Sequence, residues 1–352
     1  MFYLKRVLSL VLIIVFLLNI NIVSVFAQSP TKAPAPVKAP TAPINLTLSP
    51  TFINLATDPG KEVSSQLRVT NNNAFTEYFK IDIAKYQVGS DGERLNIVPL
   101  DKNDEFGKWV TFQDPEFEIS SNQTKTLKFT IAPPKEAALG YYYAFIIRRV
   151  TEQAGANTTV LTGAPAFTTV LEVRSPNAKR ELQLVSFSTD QSFYEYLPST
   201  FNVTFKNTGN IHIVPHGDIF IDQGSKKDIA ILKINEGQGN ILPGATRTYT
   251  ATWDDALIAR VPKMENGKEL RDSKGNIEYS VKFDSEKPLS KFRIGNYKAN
   301  LLSVYDNGKR DVPLESNLSF WVLPWKLIGI ILIVIIGPVL LYHLISKRRK
   351  KK

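Results

Sequence analysis

The string VSSQLRVTNN at residues 63–72 decides the fold, because STFNVTFKNTG at 199–209 repeats it. In the first, Val63, Leu67 and Val69 fall on one side of an alternating pattern; in the second, Phe201, Val203 and Phe205 do the same. An apolar period of two is that of a half-buried β-strand. Each copy then stops in a turn, Asn71-Asn72 or Asn207-Thr208-Gly209. Asparagine there bonds its own backbone and tolerates positive φ, as a chain changing sheets requires.

The repetition extends outward. TKTLKFT at 124–130 is matched by TRTYTATW at 246–253, and GYYYA at 140–144 by GNYKA at 295–299. The offset is 122 at the former pair and 155 at the latter, so 33 residues are added between Trp253 and Phe292. That interval carries turns at Asn266-Gly267 and Lys274-Gly275-Asn276, with Ile277, Tyr279, Val281 and Phe283 alternating after them. An added hairpin accounts for it. The same alternation runs through Ile44, Leu46 and Leu48 and through Phe79, Ile81 and Ile83, and between the termini no segment sustains a helical period. The expectation is an all-β chain of two tandem Ig-like β-sandwich domains, 44–175 and 180–322, with a hairpin insertion near 254–291.

The ends predict where these domains stand. Residues 1–27 have Lys5 and Arg6, an apolar run from Val7 to Leu18, and Val25-Phe26-Ala27 before Gln28, the pattern of a cleavable signal peptide. The alternative is an uncleaved N-terminal anchor. Residues 28–43 hold five prolines and form an extended Pro/Ala-rich linker. Leu327–Ile345 is 19 residues without a charge, about 28 Å as a helix, enough to cross a bilayer once. Trp321 and Trp325 precede it at the expected membrane interface, and the basic tail within 346–352 should stay cytoplasmic. The expected location is therefore the cell membrane, single-pass, with the ectodomain outside.

Charge agrees with that topology. Of the net +10, Lys5 and Arg6 supply two and the run 347–352 supplies six, leaving +2 for the segment 28–326. A basic footprint flanking apolar runs is not that of a nucleic-acid binder. With no cysteine, disulfides, thiolate metal sites and cysteine nucleophiles are excluded.

Once assembled, these pieces resemble the WxL-interacting proteins of Gram-positive cell surfaces. The resemblance rests on Leu48-Ser49-Pro50, Pro59-Gly60-Lys61, Val69-Thr70-Asn71-Asn72, SSNQTK at 120–125 and LGYYY at 139–143, with the order of segments. The resemblance implies a peptidoglycan-binding Ig-like first domain, a host-binding Ig-like second domain, one span and a basic tail. The stretch 207–217 and the 254–291 insertion depart from the family, which weakens what it implies for the second domain.

Chemistry-bearing residues are few. His212 and His216 can share a strand face, but the ectodomain offers no third imidazole and no thiol, so a polar turn is the simpler reading. Asp101, Asn103, Asp104 and Glu105 lack the spacing of a calcium loop. No nucleophile elbow, phosphate loop or zincin motif occurs, so neither an enzyme nor a cofactor site is expected. The binding candidates are Tyr141, Tyr142 and Tyr143. Alternation sends Tyr142 to the face opposite the other two, and an exposed tyrosine suits sugars or a protein partner. The alternative is that all three fill the sandwich and its rim. The functional expectation is a non-catalytic membrane-anchored surface protein that binds peptidoglycan or a partner surface protein. Its alternative is an accessory ectodomain or chaperone-like subunit of a membrane protein complex.

Overall fold

The computed structural model describes residues 43–89, 91–101, 103–150 and 164–349. The expected signal peptide and nearly all of the linker lie outside them, as does the end of the tail. Ile44–Arg149 with Thr162–Lys352 forms one compact unit; the other, Met1–Pro43 with Val150–Leu161, falls almost wholly outside the described residues.

The chain folds as two β-sandwiches of the same strand order. In the first, one sheet runs β1 (Leu46–Ser49), β3 (Val63–Asn71), β8 (Thr124–Ile131), β6 (Val110–Phe112). The facing sheet runs β2 (Phe52–Thr57), β10 (Ala166–Val173), β9 (Leu139–Arg149), β4 (Glu77–Val88), β5 (Leu95–Pro99), and β7 (Glu116–Ile119) also pairs with β4. In the second, β11 (Leu182–Thr189), β13 (Ser199–Asn207) and β16 (Thr246–Trp253) form one sheet. Its partner sheet runs β12 (Phe193–Tyr194), β22 (Asp311–Val322), β21 (Gly295–Asp306), β14 (His216–Gln223), β15 (Lys226–Ile234).

The sequence repeat maps onto this order strand by strand: β3 with β13, β8 with β16, and β9 with β21. In both copies the opening segment divides between sheets. β1 and β11 pair antiparallel with β3 and β13, whereas β2 and β12 lie parallel to the last strands β10 and β22. This division is the immunoglobulin-like device for closing a sandwich.

Alternation becomes burial as expected. Leu67, Val69, Leu127 and Phe129 fill the first core together with Phe145 and Ile147. Phe201, Val203, Phe205, Trp253, Tyr297 and Phe320 fill the second. Each such side chain contributes about 1.5–3 kcal/mol by leaving water.

The repeated asparagines are completely buried, and each closes a turn. Asn71 Nδ2 donates to the carbonyls of Phe75 and Ile119 at 2.8 and 3.0 Å, while its Oδ1 accepts the Asn73 N–H at 3.0 Å. Asn207 repeats this with Ile211 and Ile241, both at 2.8 Å, and with the Gly209 N–H at 2.9 Å. Neither residue adopts positive φ. Of the two anticipated uses they serve only the backbone bonding, pairing nearby groups that would otherwise be stranded.

The insertion is a two-stranded ribbon, β17 (Ile258–Pro262) against β20 (Tyr279–Phe283), with a small hairpin at its tip, β18 (Met264–Glu265) and β19 (Lys268–Glu269). It leaves the pole of the second sandwich where β16 ends and β21 begins. At that pole Ser199 pairs with Trp253 and Gly295 with Val322. A helix absent from the sequence reading, α1 (Phe106–Trp109), interrupts the first sandwich; four residues are too few to show a period.

From the same pole α2 (Trp325–Arg349) departs, with Pro338 inside it. No linker intervenes: Leu323 N–H donates to Tyr194 O at 2.8 Å and Lys326 pairs with Glu195 at 2.8 Å. Side chains of α2 are described without break only from Trp325 to Leu340, and among the described residues no helix is long and apolar enough to cross a membrane. The span expected at Leu327–Ile345 runs beyond that stretch.

Candidate binding surface across the two sandwiches

Strand β9 carries the tyrosine run, and its neighbours decide what each ring meets. Tyr143 points into the first core, 5% exposed, stacked on Phe106 of α1, with its hydroxyl donating to Asp104 at 3.2 Å. Burial, together with the Asp104 carboxylate, pushes its phenol well above the usual value. Asp104 in turn pairs with Lys85 at 3.1 Å, so this acidic stretch is occupied by internal bonds. Tyr141 shares that side, edge to face with Trp109 at 4.9 Å.

Tyr142 faces the other way, as alternation requires, but that face does not meet solvent. It lies in a row crossing the whole sheet: Asn54 on β2, Val170 on β10, Tyr142 on β9, Tyr86 on β4 and Ile97 on β5. The second sandwich covers the first four. Asn240 Nδ2 donates to Asn54 Oδ1 at 3.2 Å. Val170, Tyr86 and Tyr142 pack into the same apolar cluster as Ile213, Ile241 and Leu242. The His212 N–H donates to the Tyr142 hydroxyl at 3.2 Å, and the two rings meet edge to face at 5.8 Å. At the margins, Arg180 pairs with Glu172, and the Thr246 N–H donates to Gly92 O at 2.6 Å.

None of the three tyrosines therefore presents an open ring. Burial holds the His212 imidazole down at a pKa of about 4, Glu172 opposing that shift and Arg180 adding to it; its Nδ1 has no hydrogen-bond partner. A protonated His212 would be a charge taken from water at the seam. His216 is exposed at the start of β14, and among the described residues no three His, Cys, Asp or Glu side chains gather into a metal-ligating group.

The row's last member is open. β5 is an edge strand, and Leu95 and Ile97, on the face shared with Tyr86, are 49% and 52% exposed. Two other edges are guarded. β15 bears Lys226, Lys227, Asp228 and Lys233, and β11 has a register shift between Leu184 and Ser186. Charges and bulges of this kind discourage strand pairing; β5 has neither, and only Pro99 at its end guards it. Leu95 and Ile97 were not among the candidate residues: they alternate in sequence, but nothing local shows that the covering sandwich stops short of them. At the opposite pole Trp321 and Trp325 are 48% and 55% exposed.

No family model matches the chain, and no curated protein matches it in sequence. Among solved structures it is similar to the class 5 fimbriae chaperone CfaA, at 14% identity over 80% of this chain and 100% of that one, TM-score 0.32. It is also similar to the structure of the Salmonella enterica SafA pilin in complex with the SafB chaperone, at 12% identity over 80% and 100%, TM-score 0.33. The E. coli chaperone DraB shows 13% identity over 78% and 97%, TM-score 0.32. Similarity at this level bears on neither ligand nor partner.

Proposed function

We propose that the chain is a non-catalytic binding protein, held at a membrane by its C-terminal helix, whose joined sandwiches engage a partner surface protein as an accessory or chaperone-like ectodomain. The observation that carries this reading is the cross-strand row. Its aromatic members, Tyr142 and Tyr86, are covered by the second sandwich, with His212 against Tyr142, while its open end at Ile97 is an apolar strand edge without a charge. Such an edge recruits protein, because an added strand supplies main-chain hydrogen bonds and its alternate side chains extend the row.

Support for the anchor comes from exposure. Ile330 through Ile336, with Val339 and Leu340, are apolar and exposed. An apolar helix without a protein partner on any side suits lipid.

The test is site-specific photocrosslinking in cells of the full chain, with the reactive residue at position 97 and, as control, at Val185. The reading expects one protein adduct at 97 that Leu95→Lys abolishes, and none at 185. Adducts only to insoluble wall, or equal adducts at both positions, overturn it.

A further inference from the structure

The exit pole of the second sandwich holds a cleft that the partner-binding reading does not use. The ribbon folds back so that the β17–β20 pair faces Phe193 on β12 and the first turn of α2. Between them lies a cavity of about 450 Å³ lined by Phe193, Glu195, Arg260, Tyr279, Trp325 and Lys326 among others. That volume lies in the ordinary small-ligand range of roughly 300–1,000 Å³.

Its chemistry is divided. Phe193, Tyr279 and Trp325 remain 44%, 39% and 55% exposed, so the walls are aromatic and unfilled. The Arg260 guanidinium lies over the Tyr279 ring at 4.3 Å; its Nε is buried with no hydrogen-bond partner, and it enters no ion pair among the described residues. Lys326 pairs with Glu195 at 2.8 Å, which offsets the acid and leaves Arg260 as the uncompensated charge. A guanidinium with free donors beside a second cation selects a phosphate or carboxylate. The aromatic walls add carbon to that preference. Trp325 is also the first residue of α2, so the walls continue into its exposed apolar face. A small soluble anion leaves those walls wet, whereas an amphiphile covers them.

We propose that this cleft seats the headgroup of an anionic phospholipid, its phosphate on Arg260 and Lys326 and its chains descending along Trp325 and α2. The inference rests on the membrane reading above, but not on strand capture at β5.

The full chain in detergent micelles, titrated with phosphatidylglycerol or phosphatidylcholine and followed by native mass spectrometry, tests it. The expected result is one retained phosphatidylglycerol, a roughly tenfold weaker affinity for Arg260→Gln, about 1.4 kcal/mol, and partial rescue by Arg260→Lys, which keeps the charge but not the planar fork. A variant with Lys347, Arg348 and Arg349 changed to Gln should bind as wild type. An unchanged melting curve for Arg260→Gln shows that it folds, and Lys326→Gln provides a second variant. Equal retention of both lipids, loss only in the tail variant, or displacement by inorganic phosphate overturns the proposal. Alkaline carbonate extraction is scored separately: release of the wild-type chain overturns the anchor itself, and the lipid titration then reads the cleft alone.

Discussion

The hydroxyl of Tyr142 accepts the backbone N–H of His212 across the seam between the sandwiches, and the same two rings cross edge to face. One side chain thus supplies both the polar and the apolar part of the join. Tyr142→Phe should cost about 1 kcal/mol, the value of one hydrogen bond whose donor is left buried. Tyr142→Ala should cost more, about 2–4 kcal/mol, by opening a cavity beside Tyr86. Urea unfolding monitored by fluorescence checks both. Equal, negligible effects would mean that the seam is held elsewhere.

His212 makes that seam sensitive to acid. Its folded pKa, about 4, lies below the unfolded 6.5 because burial penalises the imidazolium. The unfolded chain therefore binds the extra proton first, and stability falls as pH drops from 6.5 toward 4. The groups facing it, Glu172 and Arg180, are already paired with each other. His212→Gln keeps the backbone donor to Tyr142 and should flatten the pH profile in this window. A wild-type loss on the order of 2 kcal/mol between pH 7 and 4.5 is expected. A variant with the same slope as wild type would sink the assignment.

Asn71 and Asn207 do the same work in separate cores. Replacing either with Ala removes bonds to two carbonyls, both buried at Asn207 and one buried at Asn71, and to one part-buried N–H, an expected cost of about 2–4 kcal/mol each. The double variant should lose the sum, since the sites share no partner. Strong non-additivity in urea titrations would indicate that the two sites are energetically coupled through the join between the sandwiches.

These asparagines also show how far the sequence could be read. Their strands were legible because alternation is local and because the second copy repeats the first, and the insertion was legible because the offset between copies jumps after Trp253. The side of β9 that Tyr142 takes was legible for the same reason. What covers that side was not: His212 is distant in the chain, and no periodicity records which faces meet. The division of the opening segment between sheets was hidden likewise, since alternation marked Ile44, Leu46 and Leu48 but does not record that β2 joins the facing sheet. The cleft at Arg260 needed both the insertion's fold-back and the helix placed directly after Val322.

The tip of that insertion is separable from the sandwich beneath it. β20 is exposed along its whole length, and burial resumes only at Ala256 and Leu257 at the root. Pro262 and Tyr279 face each other across the ribbon, so residues 263–278 can be replaced by an Asn-Gly turn without moving either strand. The excised Lys263–Glu278 pair is solvent-exposed and contributes little. Shortening the loop also reduces its closure entropy. Stability should therefore change by no more than about 0.5 kcal/mol. Arg260 and Tyr279 remain in place, so phosphatidylglycerol retention should persist. A loss above about 2 kcal/mol in thermal unfolding would show that the tip packs on the body of the protein; retained stability with lost lipid would move the headgroup contact out to the tip.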